Sequence, residues 1–287
     1  MKRRFALPAL AAAAAFAAVS LAVPSQAEND ELNYVALGDS FSAGSGILPL
    51  DSSTTPLCAR TTKNFPHVIA AATGAKLTDV TCGGAQTTHF TDAQYPGLTE
   101  PQFDALSADT DLVTLTIGGN DANLFIGAIA SCGFAGISTG GFGSPCKTRY
   151  GEKFNDDIRD TIYPAIRQAL EGIAAKAPNA RVAILGYPWI LPEHKGCFPK
   201  MPVARGDVPY LRELQGNLNA AVQRAASGTG ATYVDLNGVS DGHDACQPIG
   251  TRWVEPALFG TNFVPVHPNA LGERKMAEQA MTVLGLS

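Results

Sequence analysis

Five short runs rich in Val, Ile and Leu set the strongest limit on how this chain folds. They are Asn33–Gly38, Lys76–Cys82, Asp111–Gly119, Ala180–Pro188 and Ala231–Gly238. Most read as near-continuous apolar segments rather than alternating ones, as strands covered on both faces do. Helical patterns separate them. Phe154–Ala177 carries Ile158, Ile162, Ile166, Leu170 and Ile173 at spacings of three and four, with a kink expected at Pro164. Val208–Ala226 has a similar stripe through Leu211, Leu214, Leu218 and Val222, and Ala270–Leu284 reads as a closing helix. Strands alternating with helices predict an α/β fold with a parallel sheet between helical layers.

The N-terminus stands outside this rhythm. Lys2, Arg3 and Arg4 precede an apolar stretch from Phe5 to Val23, and Ser25-Gln26-Ala27 follows with small residues at both ends. A basic start, an apolar middle and a small-x-small exit predict a signal peptide over residues 1–27. The mature chain is then residues 28–287, expected as a single domain, secreted and monomeric. No later segment reads as apolar enough to span a bilayer, so no stable membrane insertion is expected. Removing Lys2, Arg3 and Arg4 leaves 18 Lys and Arg against 26 Asp and Glu, a net charge of −8. With no basic run past the leader, nucleic acid is not an expected partner.

Cys58, Cys82, Cys132, Cys146, Cys197 and Cys246 form an even set in an exported chain, which suggests disulfides, with the connectivity open. The loops that carry them break the strand–helix rhythm. Ser131–Tyr150 is Gly-rich and reads as a loop; Trp189–Asp207 and Asp241–Val266 are long and rich in Pro and Gly. His67, His89, His194 and His243 are scattered without metal-ligand spacing, so neither a metal nor a cofactor is implied.

In open parallel sheets, ligands bind beyond the carboxyl ends of the strands. Three runs end there in unusual residues: Gly38-Asp39-Ser40, Cys82-Gly83-Gly84-Ala85 and Gly118-Gly119-Asn120-Asp121. A fourth element, His267-Pro268-Asn269, precedes the last helix. Ser40 is a candidate nucleophile and His267 the base it requires. The Gly84 N–H, the Asn120 side-chain amide and the Ser40 N–H are candidate donors to an oxyanion. Taken alone, each motif is also a turn or a helix cap; their order along one chain gives them weight. Asp39 and Asp121 read as turn and hydrogen-bonding residues. Trp189, Trp253, Phe125 and Phe134 are candidates for lining an acyl pocket, with ordinary packing as the alternative.

Together "GDSFSAG" (Gly38–Gly44), "CGGA" (Cys82–Ala85), "GGND" (Gly118–Asp121) and "HPN" (His267–Asn269) resemble the SGNH (GDSL) hydrolases, most of all the secreted actinobacterial lipases and esterases. The resemblance implies a flavodoxin-like three-layer α/β/α sandwich with a five-stranded parallel sheet. It implies Ser40 as nucleophile, His267 as base, and Gly84 and Asn120 as oxyanion donors. It also implies sequential disulfides: Cys58–Cys82, Cys132–Cys146 and Cys197–Cys246. One departure stands out. Many members carry an aspartate three residues before the histidine, where this chain has Val264. Two arrangements follow. In one, a Ser40–His267 dyad is oriented by the Val264 carbonyl. In the other, Asp235, Asp244 or Glu255 completes a triad.

The expected activity is carboxylic-ester hydrolysis on lipid-like acyl esters. Phospholipase A action and polysaccharide deacetylation are variants on the same site. The rival from another class is a non-catalytic binding protein on the same fold.

Overall fold

The computed structural model describes Met1, Lys2 and Glu31–Leu286. The expected leader, residues 1–27, lies outside the described residues but for its first two. From Glu31 onward the strands are β1 (Asn33–Ala36), β2 (Lys76–Asp79), β3 (Leu112–Leu115), β4 (Arg181–Leu185) and β5 (Thr232–Val234). The helices are α1 (Ser40–Ala43), α2 (Phe65–Thr73), α3 (Leu124–Ser138), α4 (Pro145–Tyr150), α5 (Lys153–Asp157), α6 (Tyr163–Lys176), α7 (Val208–Thr229), α8 (Asn237–Ser240) and α9 (Ala270–Leu284). All five expected strands are present.

They form one parallel sheet in the order β2-β1-β3-β4-β5. Val35 of β1 lies beside Thr78 on one side and Val113 on the other. The strand order reverses direction at β1, so the crevice between the carboxyl ends of β1 and β3 is the switch point where such sheets bind ligands. Ser40 follows β1 and Asn120 follows β3, so both flank that crevice. Helices α2 and α9 pack together, as do α6 and α7, the two pairs covering the sheet as separate layers. Every residue of β3 is buried, which explains its unbroken apolar sequence.

Two local expectations are corrected. The kink expected at Pro164 takes the form of a widened π turn over Ile158–Ile162, just before α6. Pro164 lacks the N–H that would bond back along the helix, and the wider turn absorbs the gap while Ile158, Ile162 and Ile166 stay buried. The Gly-rich segment Ser131–Tyr150 is not one loop, since α3 runs through it to Ser138 and α4 begins at Pro145. A side chain at Gly136 would strike the backbone oxygen of Pro202, so this glycine serves close packing rather than a turn. Reading that stretch as a loop hid a continuous apolar helix. Among the described residues, Asp121–Ser138 is long and apolar enough to cross a membrane by length and composition, although 33% of it is buried in the protein.

The disulfides are Cys58–Cys82, Cys132–Cys146 and Cys197–Cys246. The first ties the loop after α1 to the end of β2. The second joins α3 to α4. The third staples the two long loops that precede α7 and α9.

Candidate active site

Gly38 takes a φ of +121°, and a side chain there would collide with the Thr116 carbonyl of the neighbouring strand end. Only glycine lets the chain leave β1 this sharply. Asp39 caps α1 by accepting from the Phe41 N–H at 3.0 Å. Ser40 thereby becomes the first helical residue, and its N–H has no intrahelical acceptor. The Ser40 side chain is largely buried, at 8% exposure.

His267 meets it from the other end of the chain. Its Nε2 lies 2.7 Å from Ser40 Oγ. Its Nδ1 lies 2.8 Å from a backbone carbonyl, that of Pro265. The carbonyl expected in this place was Val264's, and that expectation is corrected. Val266 adopts a positive φ of 61°, which turns the Pro265 carbonyl back toward the ring two residues on. The Val264 backbone instead packs against Gly46. Positive φ is strained for a β-branched residue, at a cost of about 1–3 kcal/mol. Burial of the Val266 side chain, at 4% exposure, helps offset that strain.

The three carboxylates weighed as triad members are engaged elsewhere. Asp235 caps the Asn237 N–H, and Asp244 accepts from the Cys246 N–H and the Gln247 amide. Glu255 pairs with Arg252 at 2.6 Å and also accepts from the Thr261 N–H and the Asn269 amide. Burial pushes the Glu255 pKa up, but Arg252 and those donors outweigh it and hold it at about 2. Glu255 therefore shapes the loop that carries His267 without touching the ring. The Asn269 side chain also caps α9 through the Leu271 and Gly272 N–H groups, which fixes the histidine just ahead of the helix.

The other two candidate donors, Gly84 and Asn120, follow β2 and β3, the strands on either side of β1. Gly84 has a φ of +76° and is exposed. The Asn120 amide donates to the Ala85 carbonyl at 3.1 Å, and the Gln86 amide donates to the Asn120 carbonyl at 3.0 Å. The second and third motifs are thus locked together, with one amide hydrogen of Asn120 left over. Asp121 holds this corner by accepting from the Thr87 N–H and hydroxyl. Burial raises the Asp121 pKa despite those bonds.

Desolvation lowers the His267 pKa below the usual imidazole value, with the Pro265 carbonyl partly opposing it. The ring is therefore neutral near pH 7, with Nδ1 donating to Pro265 and Nε2 free to accept from Ser40. A buried hydroxyl against a neutral imidazole is the pairing that nucleophilic acyl transfer requires.

A sequence profile described as the GDSL-like Lipase/Acylhydrolase family matches residues 36–275. The chain belongs to that family. Lipase 2 of Streptomyces coelicolor is 64% identical over 94% of this chain and 91% of its own. The crystal structure of an extracellular lipase from Streptomyces rimosus superposes with a TM-score of 0.72 at 30% identity, covering 88% of this chain and 98% of that one. A phospholipase A1 from Streptomyces albidoflavus gives 0.71 at 29% identity, covering 89% and 98%. This GDSL protein is a lipase or esterase, a carboxylic ester hydrolase with the α/β fold of SGNH enzymes.

Behind the site of this GDSL hydrolase lies a link that the sequence reading did not identify. The Tyr187 hydroxyl donates to Asp39 Oδ2 at 2.5 Å and accepts from the Gly119 N–H at 2.9 Å. Its ring stands edge-on to Phe41 and to Phe125, at centroid distances of 5.0 and 4.8 Å. Burial raises the Asp39 pKa to about 6, against the hydrogen bonds from Tyr187, Thr116 and Phe41. The signal was available, because Gly186-Tyr187-Pro188 ends the fourth strand at the same sheet edge as the other motifs.

Of the candidate acyl-pocket residues, Phe125 alone lines the apolar cavity beside the site. That cavity, of about 60 Å³, lies between α3 and α7 and is also lined by Ala128, Met201, Leu214 and Leu218. The Phe125 ring connects it to the Ser40 turn through Phe41, at 5.9 Å. The candidate residue Phe134 is 74% exposed and turns away from the cavity. Trp253 is buried and stacks on His243, and Trp189 packs under the Arg212 guanidinium.

Proposed function

We propose that the chain is a secreted serine hydrolase that cleaves acyl esters of lipids through a covalent intermediate on Ser40. The observation that carries this reading is the 2.7 Å contact from Ser40 Oγ to His267 Nε2, with Nδ1 of the same ring held by the Pro265 carbonyl. His267 Nε2 takes the hydroxyl proton as Oγ attacks the ester carbonyl carbon. The carbonyl oxygen gains charge and is met by the N–H groups of Ser40 and Gly84 and the free amide hydrogen of Asn120. The tetrahedral intermediate collapses, and the alcohol leaves with the proton from His267. A water then gives its proton to His267 and adds to the acyl carbon. The acid departs, and the proton returns to Ser40.

The orienting acceptor for the base is a carbonyl, so the working unit is a dyad. The mature protein is residues 28–287, a single monomeric domain. Three disulfides suit an oxidising, extracellular setting. The cavity beside Phe125 favours an apolar acyl group. Phospholipase A activity is the second reading, favoured by the likeness to a structure named phospholipase A1.

A fluorophosphonate probe tests the nucleophile, labelling the wild type but not Ser40→Ala. Labelling of the folded alanine variant, or retention of a tenth of the ester turnover, overturns the assignment. A panel of esters of graded chain length, with a phospholipid and acetylated xylan alongside, ranks the substrate classes.

A further inference from the structure

Helix α3 is apolar on both sides. Leu124, Ala128, Cys132 and Gly136 point inward and are buried. Ile126, Ala130, Phe134 and Ile137 recur at spacings of four, four and three, which puts them on one outward stripe. Ile126 is 68% exposed, Phe134 74% and Ile137 58%. Phe142, in the turn after the helix, is 64% exposed. Single exposed apolar residues are ordinary, but a run of large ones along one helix marks a contact surface.

The charges around this stripe say what it contacts. Lys147 and Arg149 lie exposed on α4, which Cys132–Cys146 ties to α3. The Arg205 guanidinium stacks over the Phe142 ring at 5.4 Å. Among the described residues, none of these three cations has a carboxylate within salt-bridge distance, so each is free to meet an anion, as are other surface cations such as Lys63, Lys195 and Arg274. The nearby Asp207 carboxylate is buried and occupied by the Cys146 and Lys147 N–H groups. A chain of net charge −5 thus places three unpaired cations beside its apolar stripe. Apolar side chains rimmed by free cations match a layer of acyl chains beneath anionic headgroups.

We propose that the outer face of α3, with Phe142, Lys147, Arg149 and Arg205, docks this protein onto anionic phospholipid surfaces. The helix links surface to site. It starts just after the Asn120 turn, and its inner face lines the cavity beside Phe125. Docking by the outer face therefore brings the site's acyl cavity next to the lipid. The purpose of docking rests on the ester-hydrolase reading above; the binding itself does not.

The test uses the mature chain carrying Ser40→Ala, so that vesicles are not consumed. Sucrose-loaded phosphatidylglycerol vesicles should sediment the protein at low salt, and phosphatidylcholine vesicles should do so far less. Arg149→Gln with Arg205→Gln should weaken phosphatidylglycerol binding by roughly 25-fold, about fivefold for each cation. Phe134→Ser with Ile137→Ser should weaken it by at least about tenfold. Made in the active enzyme, both pairs should leave turnover of a soluble short-chain ester within about twofold of wild type, since neither touches the site. No sedimentation with phosphatidylglycerol overturns the proposal, as does equal sedimentation of parent and variants. Self-association without vesicles that Phe134→Ser abolishes also overturns it, by identifying a second copy as the occupant. Loss of short-ester turnover in the parent enzyme would sink the hydrolase reading alone, leaving the vesicle result to stand.

Discussion

The Tyr187 hydroxyl donates to Asp39 at 2.5 Å while accepting the Gly119 N–H at 2.9 Å, so one oxygen joins the turn that presents Ser40 to the turn that presents Asn120. The two turns leave neighbouring strands and must stay in register for the proposed nucleophile and oxyanion donor to face one carbonyl. Tyr187→Phe keeps the ring between Phe41 and Phe125 and removes only this latch. The Gly119 N–H, buried behind the site, then loses its acceptor, at about 1–3 kcal/mol of stability. Turnover should fall roughly 10- to 100-fold with KM little changed, because the defect lies in transition-state alignment. In an Asn120→Ala background the same substitution should cost far less, since the donor it aligns is gone. Equal losses in both backgrounds would show that Tyr187 does not act through Asn120.

Without a carboxylate at His267, no acid variant should behave as a triad member. Asp235→Asn, Asp244→Asn and Glu255→Gln should each retain turnover within about tenfold of wild type, against the roughly 10⁴ that a true triad acid costs. Glu255→Gln should lower stability, because Arg252 then loses its buried partner. Burial depresses the His267 pKa, and a histidine acting as the proposed base must be neutral to accept the serine proton. The acid limb of kcat/KM should therefore have its midpoint below the ordinary imidazole value of about 6.5. A midpoint above that value would mean that a negative charge sits near the ring.

What could be read from the sequence follows from how local each signal is. The strands were legible because burial on both faces makes their sequences continuously apolar. The four motifs were legible because each combines a chain reversal with a reactive or donor group. Helix α3 was missed from Ser131 onward because Gly133 and Gly136 look like loop residues. At Gly136 the reason is the close approach of the Pro202 backbone, a contact more than sixty positions away in sequence. The histidine's acceptor was assigned to Val264 because backbone direction at Pro265 depends on the φ of Val266, which residue identity does not reveal for a valine. The Tyr187–Asp39 bond spans 148 positions, and no periodicity encodes it.

The cavity between α3 and α7 predicts a specificity change. Ala128 lines it and is 5% exposed. Ala128→Leu pushes three more carbons into that space. If acyl chains enter past Phe125, kcat/KM for a ten-carbon ester should drop about tenfold relative to a four-carbon ester, the loss of roughly two buried methylenes. Overpacking also carries a stability cost of about 1–3 kcal/mol, so thermal melts must accompany the kinetics. An unchanged ratio in the folded variant would place the acyl chain elsewhere.

Glu273, on α9, is fully buried among groups that disfavour its charge. Its Oε2 accepts from the Phe65 N–H at 2.7 Å, and its Oε1 has no hydrogen-bond partner. Burial drives its pKa well above the usual range, opposed by the Phe65 bond and reinforced by Asp79 and Asp39. In the folded protein the acid therefore holds its proton to higher pH than in the unfolded chain, where it ionises near the ordinary glutamate value. The unfolded state binds fewer protons between those two values, so this residue makes stability fall as pH rises through the window, by up to about 1.4 kcal/mol per pH unit. Glu273→Gln keeps the shape and an acceptor for Phe65 but has no proton to lose. The variant should melt close to wild type at about pH 3.5, where the unfolded glutamate is itself largely protonated. It should melt progressively above wild type as pH rises toward 8. A gap that stays constant across that range, or that widens toward acid, would mean that Glu273 is ionised in the folded protein.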